Sequence, residues 1–247
     1  MYNNRGSGFI INEERECKPD KTLETENFII NYNEIDEEVI DKVAHVLEDN
    51  YNRITNHLQE TLNQKVCIEI QHNINELHNA LDLKNAPLWI RGGLGKDRII
   101  IASPLNPPKG SDFYNVVNTA VHEFVHFIIH KINLNIPRWL DEGIASYEAK
   151  DNSEVWIVNT VKSGIKENKI PSLKDLDTGE DFESFFNRDG YQYSYTVVEA
   201  IVNLYGYETL SNLIKSACNF EKILKIKEAE FENKWIQYIR DNYRNSN

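Results

Sequence analysis

The stretch TAVHEFVHFIIH, Thr119 to His130, places three of the chain's seven histidines and one glutamate among apolar residues. On an α-helix a spacing of four turns the chain by about 400°, so His122 and His126 stand about 40° apart on one face. Both imidazoles can then reach one ion. Zinc accepts neutral imidazole nitrogen and favours four ligands, so two histidines leave such a site incomplete. Glu123 stands beside the pair, where it could take a proton from water on the metal, and this arrangement is why H-E-x-x-H on a helix signals a metallopeptidase. Val121, Phe124, Val125, Ile128 and Ile129 would bury the helix and dry the surrounding cleft. Because a buried histidine needs a partner, the competing reading is two core imidazoles bonded to backbone carbonyls. His130 continues the spacing, but a further 40° of drift moves it aside, to a supporting or surface position.

A third ligand should come from a second helix facing the first. PRWLDEGIASYE, Pro137 to Glu148, supplies one: Glu142 follows the apolar anchor Trp139–Leu140. Gly143 would let the two helices approach closely. Asp141 is the rival, but a one-residue offset turns it about 100° away, so only one of the two can face the ion. Two histidines and one glutamate leave a fourth position for water, the pattern of a catalytic zinc site.

The elements that must hold these residues are legible in outline. NFIINY (27–32), KVCIEIQ (65–71) and RIIIAS (98–103) read as strands. Between the first two, Ile35, Val39, Val43, Val46, Leu47, Ile54, Leu58 and Leu62 keep a helical period, with Asp36 as a cap. Residues 72–83 predict a helix with His72 and His78 at the surface. Ser111 or Asp112 starts the histidine helix, Pro137 opens the next, and helices are predicted over 153–169, 191–205, 208–217 and 227–241. Gly92, Gly93 and Gly95 read as a flexible turn before RIIIAS. RIIIAS itself, as an edge strand beside the histidine helix, could pair with an extended peptide. The expected fold class is α+β: a small mixed sheet with the active-site helix, then a mainly helical part. The expected division is a polar tail or loosely attached strand over 1–26, an α/β part over 27–135, and a helical part over 136–247 carrying Glu142.

Composition narrows the partners. A net charge of −12 argues against nucleic acid and against an anionic membrane surface. No apolar run is long enough to span a bilayer, and the N-terminal residues lack a secretory pattern. Cys17, Cys67 and Cys218 are odd in number and far apart, which suits reduced thiols and a cytoplasmic location.

With HEFVH, fifteen intervening residues and then EG within WLDEGIASY, the sequence resembles the gluzincin metallopeptidases, and most of all the small bacterial peptidase MA-like domains. The likeness extends to FIINYNEIDEEVIDKVAHVLEDNYNRI, to YQYSYTVVEAIVNLYGYETLSNLI and to FENKWIQYI, so it spans most of the chain after about residue 27. It implies a zincin-like fold of two subdomains with the cleft between them. One Zn²⁺ would be held by His122, His126 and Glu142, with Glu123 as base and a peptide or protein as substrate. Zinc aminopeptidases carry a tyrosine in Y-x-x-G; YQYS places Tyr191 there, with Ser194 for the glycine and Tyr193 and Tyr195 as rivals. The resemblance thus implies that Tyr191 stabilises the oxyanion. Two departures matter. GGLGKDR offers no glutamate where aminopeptidases bind the substrate amino terminus, which favours an endopeptidase. Ser146 stands where thermolysin has an aspartate four residues after its glutamate, which predicts a different shell around the metal. An inactive zinc-binding scaffold that holds peptides is the alternative.

Overall fold

The computed structural model describes residues 19–84, 86–179 and 181–244. Cys17 and the tail expected over residues 1–18 lie outside them. Among the described residues all strands precede Ser103, and the chain from Phe113 onward is helical. The architecture is mixed α+β with a five-stranded sheet.

The strands are β1 (Lys21–Glu24), β2 (Phe28–Tyr32), β3 (Val66–Gln71), β4 (Gly92–Leu94) and β5 (Ile99–Ala102), in the order β1-β2-β3-β5-β4. β2, β3 and β5 run parallel, while β1 and β4 pair antiparallel at the two edges. The parallel centre explains the unbroken IIIA of β5. Ile99 and Ile101 face the main core, Ile100 and Ala102 face a smaller cluster with Leu77 and Val116, and all four residues are buried. β1 uses residues expected to be a tail or a loosely attached strand.

β5 is therefore interior, and the expectation of an edge strand there is corrected. The edge belongs to β4, built from the glycines read as a turn. The glycines are needed for packing: a Cβ on Gly92 would stand 3.0 Å from the Ile100 carbonyl and from Thr119, and one on Gly93 would meet Leu81.

Helix α1 (Glu37–Leu58) lays Val39, Ile40, Val43, Ala44, Leu47, Ile54 and Leu58 into the core. Ile35 is exposed, off this face. Asp36 precedes the helix but makes no side-chain cap bond. It is fully buried and accepts bonds from Ser103 Oγ and His72 Nδ1, joining the ends of three strands. His72 and His78, beside and within α2 (Ile74–Ala80), are half-buried rather than on the surface.

Helix α3 (Phe113–Ile132) carries the histidines. An Asp112–Asn115 capping box starts it, and burial on nearly every side makes it the central helix. Helix α4 (Arg138–Ala149) packs between α3 and α8 (Gly190–Lys215). Between them lie α5 (Glu154–Glu167) and the short α6 (Leu173–Leu176) and α7 (Phe182–Asn187); α9 (Phe220–Leu224) and α10 (Glu228–Tyr243) close the chain. The helices expected over 191–205 and 208–217 are joined in α8 across a kink at Gly206, whose φ is +83°.

Gly143 does permit a close approach, but to α8 rather than to α3. A Cβ there would lie 2.5 Å from the Ser194 carbonyl oxygen. One residue of rotation beyond Glu142 turns Gly143 about 100° round α4, away from the face that Glu142 presents. Gly143→Ala should push α4 from α8 and cost about 1–3 kcal/mol. Urea unfolding checks this; an unchanged midpoint would contradict it.

Candidate metal centre

The three nominated ligands converge. His122 Nε2 lies 3.1 Å from His126 Nε2, and Glu142 Oε2 lies 3.5 Å from the first and 3.7 Å from the second. Each residue is 7–8% exposed. Ligands at about 2.0–2.1 Å in a tetrahedron are about 3.3–3.4 Å apart, so the triangle fits one zinc-sized ion.

The carboxylates behind the imidazoles explain why these groups point at one spot. His126 Nδ1 is 2.6 Å from Asp141 Oδ1, and His122 Nδ1 faces Asp151 Oδ2 at 3.4 Å. Each carboxylate favours the proton on Nδ1 and so leaves the Nε2 lone pair facing inward. Two inward lone pairs and a carboxylate oxygen, all buried, repel one another unless a cation lies among them. A neutral pair of core histidines would have no use for three carboxylates around them, two of them buried.

The protonation tendencies carry the same imprint. Burial alone would lower His122, but Asp151 and Glu142 outweigh it and push it up to about 9. Burial likewise opposes charge on His126, and Asp141 with Glu142 raises it well above the usual imidazole range. Burial would raise Glu142, yet the two imidazoles hold it well below the usual carboxylate range. Asp141 is lowered to about 2, its burial overcome by His126 and His130. The cluster is an anionic cage for positive charge.

Asp141 thus turns from the ion position, as its offset predicts, and carries His126. Its Oδ2 meets His130 Nε2 at 2.9 Å, so His130 supports the carboxylate. Ser146 accepts a bond from Asn152, and the carboxylate behind His122 comes from Asp151 beyond the end of α4. Arg91, one residue before β4, holds Asp151 at 2.8 Å. Arg138 donates to Glu142 Oε1 at 2.8 Å, leaving Oε2 for the centre, and lies over the Phe182 ring at 4.1 Å. Sequence reasoning missed Asp151, Arg91 and Arg138. Arg138 had one local signal, its i,i+4 spacing to Glu142.

Glu123 is buried beside the ligands, with no hydrogen bond to another described residue. Burial raises its carboxyl, countered in part by His126, His122 and Arg91. Of the three tyrosines, Tyr191 is the one whose phenol feels the charges of Glu142 and Arg138. Burial and the charge of Glu142 raise its phenol, the Arg138 charge opposes them, and its ring meets Phe185 edge-on at 5.0 Å. Tyr193 turns to Trp235 and Gly164, and Tyr195 to Tyr147.

A buried helix bearing two imidazoles, met by a carboxylate from a second helix, makes His122, His126 and Glu142 a group that could hold one metal ion. The family model of the Peptidase MA superfamily matches residues 48–229, and the chain belongs to that superfamily, whose peptidases are generally metal-dependent. No curated protein matches the chain. No solved structure matches it.

Removing the charge behind His126 tests the shell. Asp141→Ala should weaken zinc binding about 10–100-fold, with Asp141→Asn, which keeps an acceptor, in between. Competition with a calibrated chelator measures it; unchanged affinity in both variants would contradict the assignment.

Proposed function

We propose that the chain is a zinc-dependent metallopeptidase of the gluzincin type with a zincin-like fold, acting on internal bonds of peptides or proteins. The convergence of His122, His126 and Glu142 within 3.1–3.7 Å carries this reading. Zinc, when bound, would polarise the scissile carbonyl and acidify the attacking water.

The chain's own residues supply the rest. Glu123, poorly solvated and without a hydrogen-bond partner among the described residues, takes the water's proton and passes it to the departing amine. The raised phenol of Tyr191 stays protonated and donates to the oxygen of the tetrahedral intermediate. Arg138 and Arg91 stay on the outer carboxylate oxygens, holding Glu142 and Asp151 in place. β4 offers a main-chain edge to an extended substrate beside α3, taking the part expected of RIIIAS. GGLGKDR brings no glutamate to that edge, which supports endopeptidase over aminopeptidase action.

Glu123→Gln keeps the three ligands and removes the base. It should bind zinc as tightly as the wild type and lose at least about 10²-fold in peptide turnover. Cleavage of a mixed peptide library, followed by mass spectrometry, reads this out. Full turnover in the variant would remove Glu123 from the mechanism; zinc binding without turnover in the wild type would favour the non-catalytic scaffold.

A further inference from the structure

A second concave site lies away from the metal cluster, where α5, α8 and α10 meet. It is a pocket of about 490 Å³ lined by Ile157, Val158, Tyr195, Tyr238, Tyr243 and Glu199, with Glu154, Lys150 and Asn242 completing it. None of these residues belongs to the metal cluster or to its shell.

The lining has one sign of charge at depth. Glu199 is half-buried and accepts a bond from Tyr243 Oη at 2.7 Å, with Tyr238 as a second donor. No Lys, Arg or His among the described residues forms an ion pair with it. The charged side chains raising the Tyr195 phenol are Glu199 and Glu154. Burial raises Glu199 itself, so the carboxylate stands partly desolvated with only phenols to satisfy it. Lys150, the one cation of the lining, is exposed.

Aromatic faces attract cations through their quadrupoles, and a half-desolvated carboxylate beside them adds a charged acceptor. The volume falls within the range of small-molecule sites, about 300–1,000 Å³. We infer that this pocket binds a small organic ammonium ion: the charged nitrogen at Glu199 among the tyrosine rings, and the apolar body against Ile157 and Val158. An anion would meet Glu199 and Glu154, and a neutral apolar ligand would leave Glu199 buried without a counter-charge. The pocket would operate independently of the metal centre, so its occupancy is separable from peptidase activity.

Titration of the full chain with benzylammonium, by calorimetry at low salt, tests this, with benzyl alcohol as the neutral isostere. Benzylammonium should saturate one site with a Kd of about 1 mM or below, and benzyl alcohol should bind about tenfold more weakly or not at all. Glu199→Gln should weaken benzylammonium about tenfold. Val158→Trp, which adds bulk to the pocket and leaves Glu199 in the sequence, should also lose it, and Glu123→Gln should bind as the wild type does. Circular dichroism checks that the variants fold. Absence of a saturable site, equal binding of benzyl alcohol, full affinity in Glu199→Gln or Val158→Trp, or loss in Glu123→Gln would each overturn the proposal.

Discussion

Everything at the candidate metal centre depends on two carboxylates that stand behind the imidazoles, one hydrogen-bonded and one in ion-pair contact. Asp141 and Asp151 each face an Nδ1, and so aim each Nε2 lone pair at Glu142 Oε2. Burying carboxylates beside unpaired lone pairs is costly, and a structure retains them when something compensates. A divalent cation is the simplest compensation, because it satisfies all three inward atoms together.

The fold supplies the rigidity that this arrangement needs. α3 is buried on nearly every side, so His122 and His126 are held away from solvent. α4 is held from three directions. Gly143 lets it lie against Ser194 of α8; Asp141 and Glu142 meet α3; and Glu148 is gripped by Arg53 and His57 of α1. The ligand helix is therefore fixed in rotation as well as position. Bringing Asp141 to the centre in place of Glu142 would take a turn of α4 by about 100°. The family match begins inside α1 and ends at the start of α10. β2, which precedes the match, is the parallel neighbour of β3 and shares the core beneath α3.

The parts legible in the sequence are those governed by local spacing. Residues four apart on a helix share a face whatever surrounds them, so His122 and His126 could be paired by counting, and Asp141 turned aside by one step. What escaped was set by tertiary contact. Asp151 reaches His122 from beyond the C-terminus of α4, a closure that no periodicity marks. Gly92 and Gly93 look like a turn because glycine usually breaks strands, yet they form β4 because side chains there would strike Thr119 and Leu81. Asp36 looks like a cap, and the strand ends draw its carboxylate inward instead. Tyr191 was reachable only through family resemblance, since three tyrosines at alternate positions cannot be ranked by spacing alone.

The most direct measurement of the central claim is the metal content of the purified chain, joined to X-ray absorption at the zinc edge. The account predicts one zinc per chain, with two imidazole nitrogens and carboxylate or water oxygens at about 2.0–2.2 Å. Failure to take up zinc even from excess, or a bound zinc whose scattering shows no histidine, would contradict it.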